Sequence, residues 1–275
     1  MLPTHSDIEK RPVVCIDEGS CLSLDTALQP GLSCTSDSKY IFGVPGIARY
    51  DITPESVTVH AVDQADTQAV QLFLWGSAVG TVLHLRGILP LHGSTVRLPD
   101  GTAAVFCGHS GAGKSTTVTA LGQRGLACVA DDVSAIQFDA QGQAWVYPGL
   151  PRTKLWGHAL SLLALAPGQQ IREGMDKYYF DMPVCPEPLR LTRLYELNVN
   201  QEAEVSAQPI GGMGRITTLL THTYRPLFVT TLGLQAAHMA RVARLAPQLT
   251  MKRISRPRGE STLQKIVDLV TQDFE

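Results

Sequence analysis

Residues 108–116, GHSGAGKST, set three glycines among a lysine and three hydroxyl side chains in the pattern GxxxxGK[ST]. Such a stretch suits a chain of phosphates. The glycines let backbone N–H groups wrap an anion with no Cβ in the way, and a helix opening at the lysine adds its free N–H donors and positive end. On this reading Gly108, Ser110, Gly111, Ala112, Gly113, Lys114, Ser115 and Thr116 bind a nucleotide. Lys114 neutralises the β- and γ-phosphates, Ser115 offers its hydroxyl to Mg2+, and Thr116 adds a phosphate contact. Asp131 and Asp132 follow Lys114 by 17 and 18 positions, room for one helix and a returning strand. They are therefore expected at the loop's own edge of the sheet, one carboxylate holding the metal and the other accepting a proton from an attacking hydroxyl. Successive side chains on a strand face opposite ways, so the pair shares one task only if the strand ends there. His92, in LPLHGSTV, is the remaining candidate; a lone histidine is more often structural, and only convergence with other groups makes it part of a site.

These groups need a scaffold, and periodicity outlines one. GSTVRL and TAAVFC are strand candidates joined by PDG, a hairpin leading straight into the glycine loop. Beyond the loop, Val118 and Leu121 carry a helical stripe that stops at Gly125, and ACVA resumes a strand ending at the aspartates. SAIQF and AWVYP, separated by DAQGQ, predict a further hairpin and hence a mixed sheet. Upstream, YIFGV, IARYDI and SVTVHAV are β-prone. Between Asp66 and Arg86, helical spacing puts Leu72, Trp75, Val79 and Leu83 on one buried face, with Asp66 or Thr67 as cap and Gly87 as stop. STLQKIVDLVTQDF closes as an amphipathic helix with Leu263, Ile266, Val267, Val270 and Phe274 toward the core and Ser261 with Gln264 as a capping box. The expected fold is α/β: a phosphate-loop-containing mixed sheet with an N-terminal β-rich region, divided as residues 1–65 and 66–275 within one compact body.

Composition excludes several classes. A chain of 275 residues with 44% hydrophobic content buries a sizeable core, and a net charge of −2 with scattered Lys and Arg gives no basic footprint for nucleic acid. The six cysteines form no CxxC pair and have no histidine at zinc-finger spacing; Cys107 and Cys128 read as small buried hydrophobes. The N-terminus lacks a signal-peptide core, and the longest apolar run, LFLWGSAVGTVLHL, is too short and interrupted to cross a bilayer. No membrane partner and a cytoplasmic location are expected.

LHGSTV, GHSGAGKST and RGLACVADDVSAI, in that order, resemble the C-terminal catalytic domain of HPr kinase/phosphorylase and its shorter relatives: a histidine upstream of the loop, then Arg-Gly, then Ala-Asp-Asp. The similarity is strong over about residues 80–138. It is weaker through YPGLPRTKLW, DKYYFDMPV and LYELNV, which are similar to the short branch that includes kinases phosphorylating lasso peptides at a C-terminal serine. The resemblance implies a fold akin to phosphoenolpyruvate carboxykinase, ATP and Mg2+, and transfer of phosphate to a serine hydroxyl of a peptide or protein. It implies Asp132 as base, Asp131 with Ser115 at the metal, Lys114 at the phosphates, His92 supporting the aspartate pair, and, since HPr kinases form rings, a homo-oligomer. Arg124 belongs to the pattern and also reads as a helix-end charge. His109 stands where longer members carry an acidic residue, and their downstream Pro-Gly-Arg-Asn has no counterpart; both departures bear on phosphorolysis. Arg152 and Lys154 stand where a second acidic metal ligand would be sought, and with Lys177 they are candidates to clamp a phosphate. Two other readings compete: a small-molecule kinase acting on free serine or an adenylylsulfate-type acceptor, and a non-catalytic ATP-binding regulatory module.

Overall fold

The computed structural model describes residues 14–23, 26–35, 39–150, 152–172, 174–182, 185–200, 204–257 and 262–274. The described residues pack as two units, one drawn from Met1–Ile88 and Arg225–His238, the other from Leu89–Tyr224 and Met239–Glu275. The boundary expected at residue 65 falls inside the first.

In the first unit, β1 (Cys15–Glu18), β2 (Gly31–Cys34), β3 (Tyr40–Val44), β4 (Ala48–Ile52) and β5 (Ser56–Ala61) form a sheet ordered β1-β5-β4-β3-β2. β2 to β5 meander antiparallel, and β1 joins β5 in parallel. Period-two alternation turns Ala48, Tyr50 and Ile52 of β4 to the core. The helical stretch consists of α1 (Thr67–Phe73), a π-helical turn over Leu74–Ala78, and α2 (Val79–Leu85). Asp66 caps it by accepting from the Gln68 N–H, and Gly87 follows at φ 73°. The buried face differs from the expected one. Val70, Leu74, Ala78 and Val82 are buried at i, i+4 spacing, whereas Trp75 is 43% exposed and Leu72, Val79 and Leu83 are only half-buried. The wide turn breaks the i→i−4 ladder and rotates the stripe, and the smaller side chains take the core-facing side.

The second unit is a mixed sheet with helices on both faces. Its elements are β6 (Leu89–Leu91), β7 (Gly93–Arg97), β8 (Ala103–Cys107), α3 (Lys114–Gln123), β9 (Cys128–Ala130), β10 (Ser134–Phe138), β11 (Ala144–Tyr147), β12 (Arg152–Trp156) and α4 (Gly157–Leu162). There follow β13 (Lys177–Asp181), β14 (Leu189–Asn200), β15 (Ser206–Pro209), α5 (Met213–Thr221), α6 (Pro226–Thr231, in the first unit), α7 (Gln235–Leu245, whose residues through His238 belong to the first unit), β16 (Thr250–Pro257) and α8 (Leu263–Gln272). The strand order is β6-β10-β11-β14-β8-β7-β9, with β16 on β14 and β15 on β16; β12 and β13 form a separate ribbon. Both expected hairpins, β7–β8 and β10–β11, are present. Every residue of β8 is buried, with Val105 and Cys107 in one apolar cluster and Ala104 and Phe106 in the other, as a central strand covered on both faces requires.

The topology decides where chemistry can occur. β7 is antiparallel to both β8 and β9, so β8 and β9 run the same way one strand apart, and the segments after them leave the same edge. α8 buries Ile266, Val267 and Val270 in the cluster that also holds Val118 and Leu121 of α3. Its expected cap Ser261 lies outside the described residues. Arg124 closes α3 onto α8 by donating to Asp268 at 2.6 Å. Cys107, Cys128 and Cys185 are buried, and among the described residues no helix is long and apolar enough to cross a membrane.

Candidate active site

The loop after β8 keeps its shape because Gly108, Gly111 and Gly113 all stand at positive φ, where a side chain is strained. At Gly108, φ 152°, a Cβ would sit 2.6 Å from the Leu197 carbonyl oxygen. At Gly113, φ 103°, the chain adopts a left-handed conformation immediately before α3. α3 has no side-chain cap and no acidic residue in its first turn, which leaves its N–H donors open to an anion. Lys114, only 8% exposed, folds back along the loop and donates to the carbonyls of Gly108 (2.8 Å) and His109 (3.4 Å). Burial lowers its pKa from the usual lysine value. Beneath it, burial pushes the Cys107 thiol up to about 12, which excludes it as a nucleophile.

β9 ends at Ala130, so both aspartates lie just past the strand, which the sequence reading required if they were to act together. Their surroundings differ sharply. Asp131 is saturated: Ser94 Oγ (2.5 Å) and Ser115 Oγ (2.9 Å) donate to its Oδ1, while Thr153 Oγ1 and the backbone N–H of Lys154 (3.2 Å) donate to its Oδ2. Asp132 stands in the left-handed region at φ 69° with its carboxylate 2.9 Å from Lys154 Nζ. Burial raises its pKa, but the Lys154 ammonium, its hydrogen bond and His92 outweigh that and hold the carboxyl below the usual range. Reciprocally, Lys154 is pushed up despite its own burial.

His92 meets this residue through the backbone: its Nδ1–H donates to the Asp132 carbonyl at 3.0 Å, and the same nitrogen lies 3.5 Å from the carboxylate. Burial, then the nearby Lys114, lower the imidazole pKa, so it is neutral near pH 7. The ring thus braces the strained turn at Asp132.

A cavity of about 460 Å³ opens over the loop, lined by Ser110–Thr116 together with His92, Asp132, Lys154 and Lys177. Lys177, on β13, lies 5.3 Å from the centre of the Trp156 ring, and burial lowers its pKa. Gly108 and Asp131 flank the cavity rather than line it, the latter reaching it through Ser115. Arg152 is not brought to the site. It is exposed, stacks its guanidinium 4.3 Å above the Tyr179 ring, and is not among the residues lining the cavity.

Several residues here were not singled out in the sequence. Ser94 lies two positions after His92 on one strand edge, a spacing that could have flagged it. Thr153, Trp156, Arg256 and Thr262 had no comparable signal. Glu196, an acid in the apolar LYELNV, pairs in register with Cys107, next to the loop strand. His222 Nε2 (2.8 Å) and Arg253 Nε (2.7 Å) engage its two oxygens; burial raises its pKa, but these partners outweigh that and hold it low.

The arrangement can hold an anion chain on backbone N–H groups and lysines, and it sets an ionised carboxylate at the far end of that chain. Among the described residues no group of three His, Cys, Asp or Glu stands at metal-binding spacing. The oxygen pair of Ser115 and Asp131 suits a hard cation that completes its shell with phosphate oxygens and water.

No protein-family model matches the chain, and no curated protein does. Among solved structures, the HPr(Ser) kinase/phosphatase from Coxiella burnetii matches at 14% identity over 67% of this chain and 89% of that chain, with a TM-score of 0.33. A likeness at that level carries no weight by itself, and the function is read from the site.

Proposed function

We propose that this protein is an ATP-dependent kinase of the HPr-kinase-like kind, transferring the γ-phosphate to a serine hydroxyl of a peptide or protein. One observation carries the reading: Ser115, the first-turn hydroxyl of the loop helix, donates to Asp131 while the adjacent Asp132 faces the cavity beside Lys154. A glycine-rich turn that bound nothing would have no use for two carboxylates at this edge.

In this reading the N–H groups of the loop and of the first turn of α3 hold the phosphates. Lys114 turns from the loop carbonyls to a phosphate oxygen, exchanging neutral acceptors for a charged one. Mg2+ fits the hard oxygens of Ser115 and Asp131, and when bound it supplies charge neutralisation on the phosphates. Asp132 orients the acceptor hydroxyl and takes its proton. Its lowered pKa makes it a weak base, which suits a loose phosphoryl transfer in which positioning matters more than proton abstraction. Lys154 and Lys177 add positive charge where the transferred group carries its negative charge. His92 acts through the Asp132 backbone as a positioning residue.

The acceptor favoured is a peptide serine of the lasso-precursor type, and the protein works in the cytoplasm as a homo-oligomer. Purified protein with γ-labelled ATP should label a serine-bearing peptide in preference to free L-serine or adenylylsulfate. Asp132→Asn should abolish labelling while retaining nucleotide binding; undiminished transfer by that variant removes Asp132 as base. Nucleotide binding without transfer to any acceptor would favour the regulatory module instead, and light scattering of the purified protein reads its oligomeric state.

A further inference from the structure

The cavity changes character as it leaves the lysines. Beside Thr116 and Thr117 of α3 its walls become Trp156 and Leu162 on one side and Leu263 and Ile266 on the other. The two sides are tied to α3 independently: Gln123 Nε2 donates to the Leu163 carbonyl just past α4, and Arg124 donates to Asp268 of α8. This leaves an apolar slot between α4 and α8, over the first turn of the loop helix. Leu162 remains 47% exposed on it.

One polar atom in this slot has no partner. Thr262 precedes α8, where a threonine hydroxyl ordinarily accepts from the helix's own N–H groups, yet it makes no capping bond. Its side chain is 5% exposed, lines the cavity, and leaves Oγ1 without a hydrogen-bond partner among the described residues. A buried hydroxyl left this way is costly unless something outside the chain pairs with it. Apolar walls with a few convergent polar groups, here Thr262 Oγ1 with His158 and Arg256 also lining the cavity, are what a flat heterocycle needs for burial and orientation.

We infer that this slot is the base subsite of the nucleotide, with the adenine ring between Trp156–Leu162 and Leu263 and with Thr262 Oγ1 as its hydrogen-bond partner. The inference rests on the kinase reading and adds where the base is held and by which residues. Adenine fits better than guanine because guanine presents extra N–H donors that call for a carboxylate. Among the residues lining the cavity the one carboxylate is Asp132, held by Lys154 at the opposite, phosphoryl end.

Calorimetric titration of the whole protein with MgATP, MgGTP and magnesium tripolyphosphate tests this. ATP should bind at least about tenfold tighter than tripolyphosphate, and GTP should bind more weakly than ATP. Thr262→Val should weaken ATP by about three- to tenfold and leave tripolyphosphate unchanged, while Thr262→Ser should keep wild-type affinity. Leu162→Asp, at an exposed position that folding tolerates, should likewise weaken only ATP. Equal affinities for ATP and tripolyphosphate, GTP bound as tightly as ATP, or ATP binding unmoved by both Thr262→Val and Leu162→Asp would overturn the subsite alone. If neither ATP nor tripolyphosphate binds, the kinase reading falls and this inference falls with it.

Discussion

Asp131 provides the sharpest test of how the site is built, because four donors from three segments converge on one half-buried carboxylate. In Asp131→Ala all four lose their acceptor. Ser94 and Thr153 are 0% and 1% exposed, so neither can turn to water, whereas Ser115 and the Lys154 backbone are partly exposed. Charging a desolvation penalty of about 1–3 kcal/mol only to the two buried hydroxyls costs ~2–6 kcal/mol. Relief from burying the carboxylate offsets part of this, which leaves a loss of ~2–4 kcal/mol. Asp131→Asn should behave differently. The Lys154 N–H can only donate, so the amide oxygen must take the Oδ2 position. The amide nitrogen then donates to Ser94 and Ser115, whose hydroxyls reverse their roles. The four contacts survive, but the charge assistance goes and the buried Ser94 hydroxyl proton loses its acceptor, a loss of ~1–3 kcal/mol that stays below that of Ala. Urea unfolding at pH 7 should rank wild type above Asn and Asn above Ala, with midpoints shifted and slopes unchanged. The Asn variant should also lose magnesium-dependent nucleotide affinity, because its amide occupies the Ser115 lone pair that a cation would use. An Ala variant as stable as wild type, or an Asn variant no better than Ala, would refute the convergent-acceptor account.

Other outcomes follow from the same geometry. Asp132→Asn should lower labelling of a serine peptide by about 10²-fold or more while nucleotide affinity by calorimetry changes little. In the folded protein the Asp132 carboxyl lies below its ordinary value of about 3.9. Its pairing therefore stabilises above that value and is lost as pH falls through the folded one, so the carboxylate stays ionised through mild acid. In Lys154→Met burial is opposed only by His92 and Lys177, and the acid limb of kcat/KM should move to higher pH; a limb that stays put removes Lys154 from control of the Asp132 carboxyl. Gly113→Ala forces a side chain onto φ 103° and should cost ~1–3 kcal/mol and weaken ATP and tripolyphosphate alike, checked by thermal unfolding and calorimetry.

What the sequence disclosed and what it withheld divide along a physical line. The hairpin into the loop, the stripe of Val118 and Leu121, the strand ending at Ala130 and the apolar face of α8 all rest on near neighbours in the chain, and periodicity and turn chemistry report those. The stripe over Leu72, Trp75, Val79 and Leu83 failed because one π-helical turn, invisible to a fixed 3.6 period, rotated the face onto Val70, Leu74, Ala78 and Val82. The site mixes both kinds of information. That β9 lies one strand from β8 with the same direction requires β7 to be inserted between them, a tertiary fact that the spacing from Lys114 to Asp131 permits and does not require. The difference between the aspartates is tertiary as well. Asp131 owes its saturation to Ser94, Ser115 and Thr153, spread over 60 positions, while Asp132 owes its ion pair to a lysine on a separate ribbon. Two identical adjacent side chains thus come to differ in partners and reach only through contacts from elsewhere. A ranking of Asp131 against Asp132 from the sequence could come from resemblance, whereas the hydrogen-bond inventory makes one an organiser of the loop helix and leaves the other able to meet an acceptor.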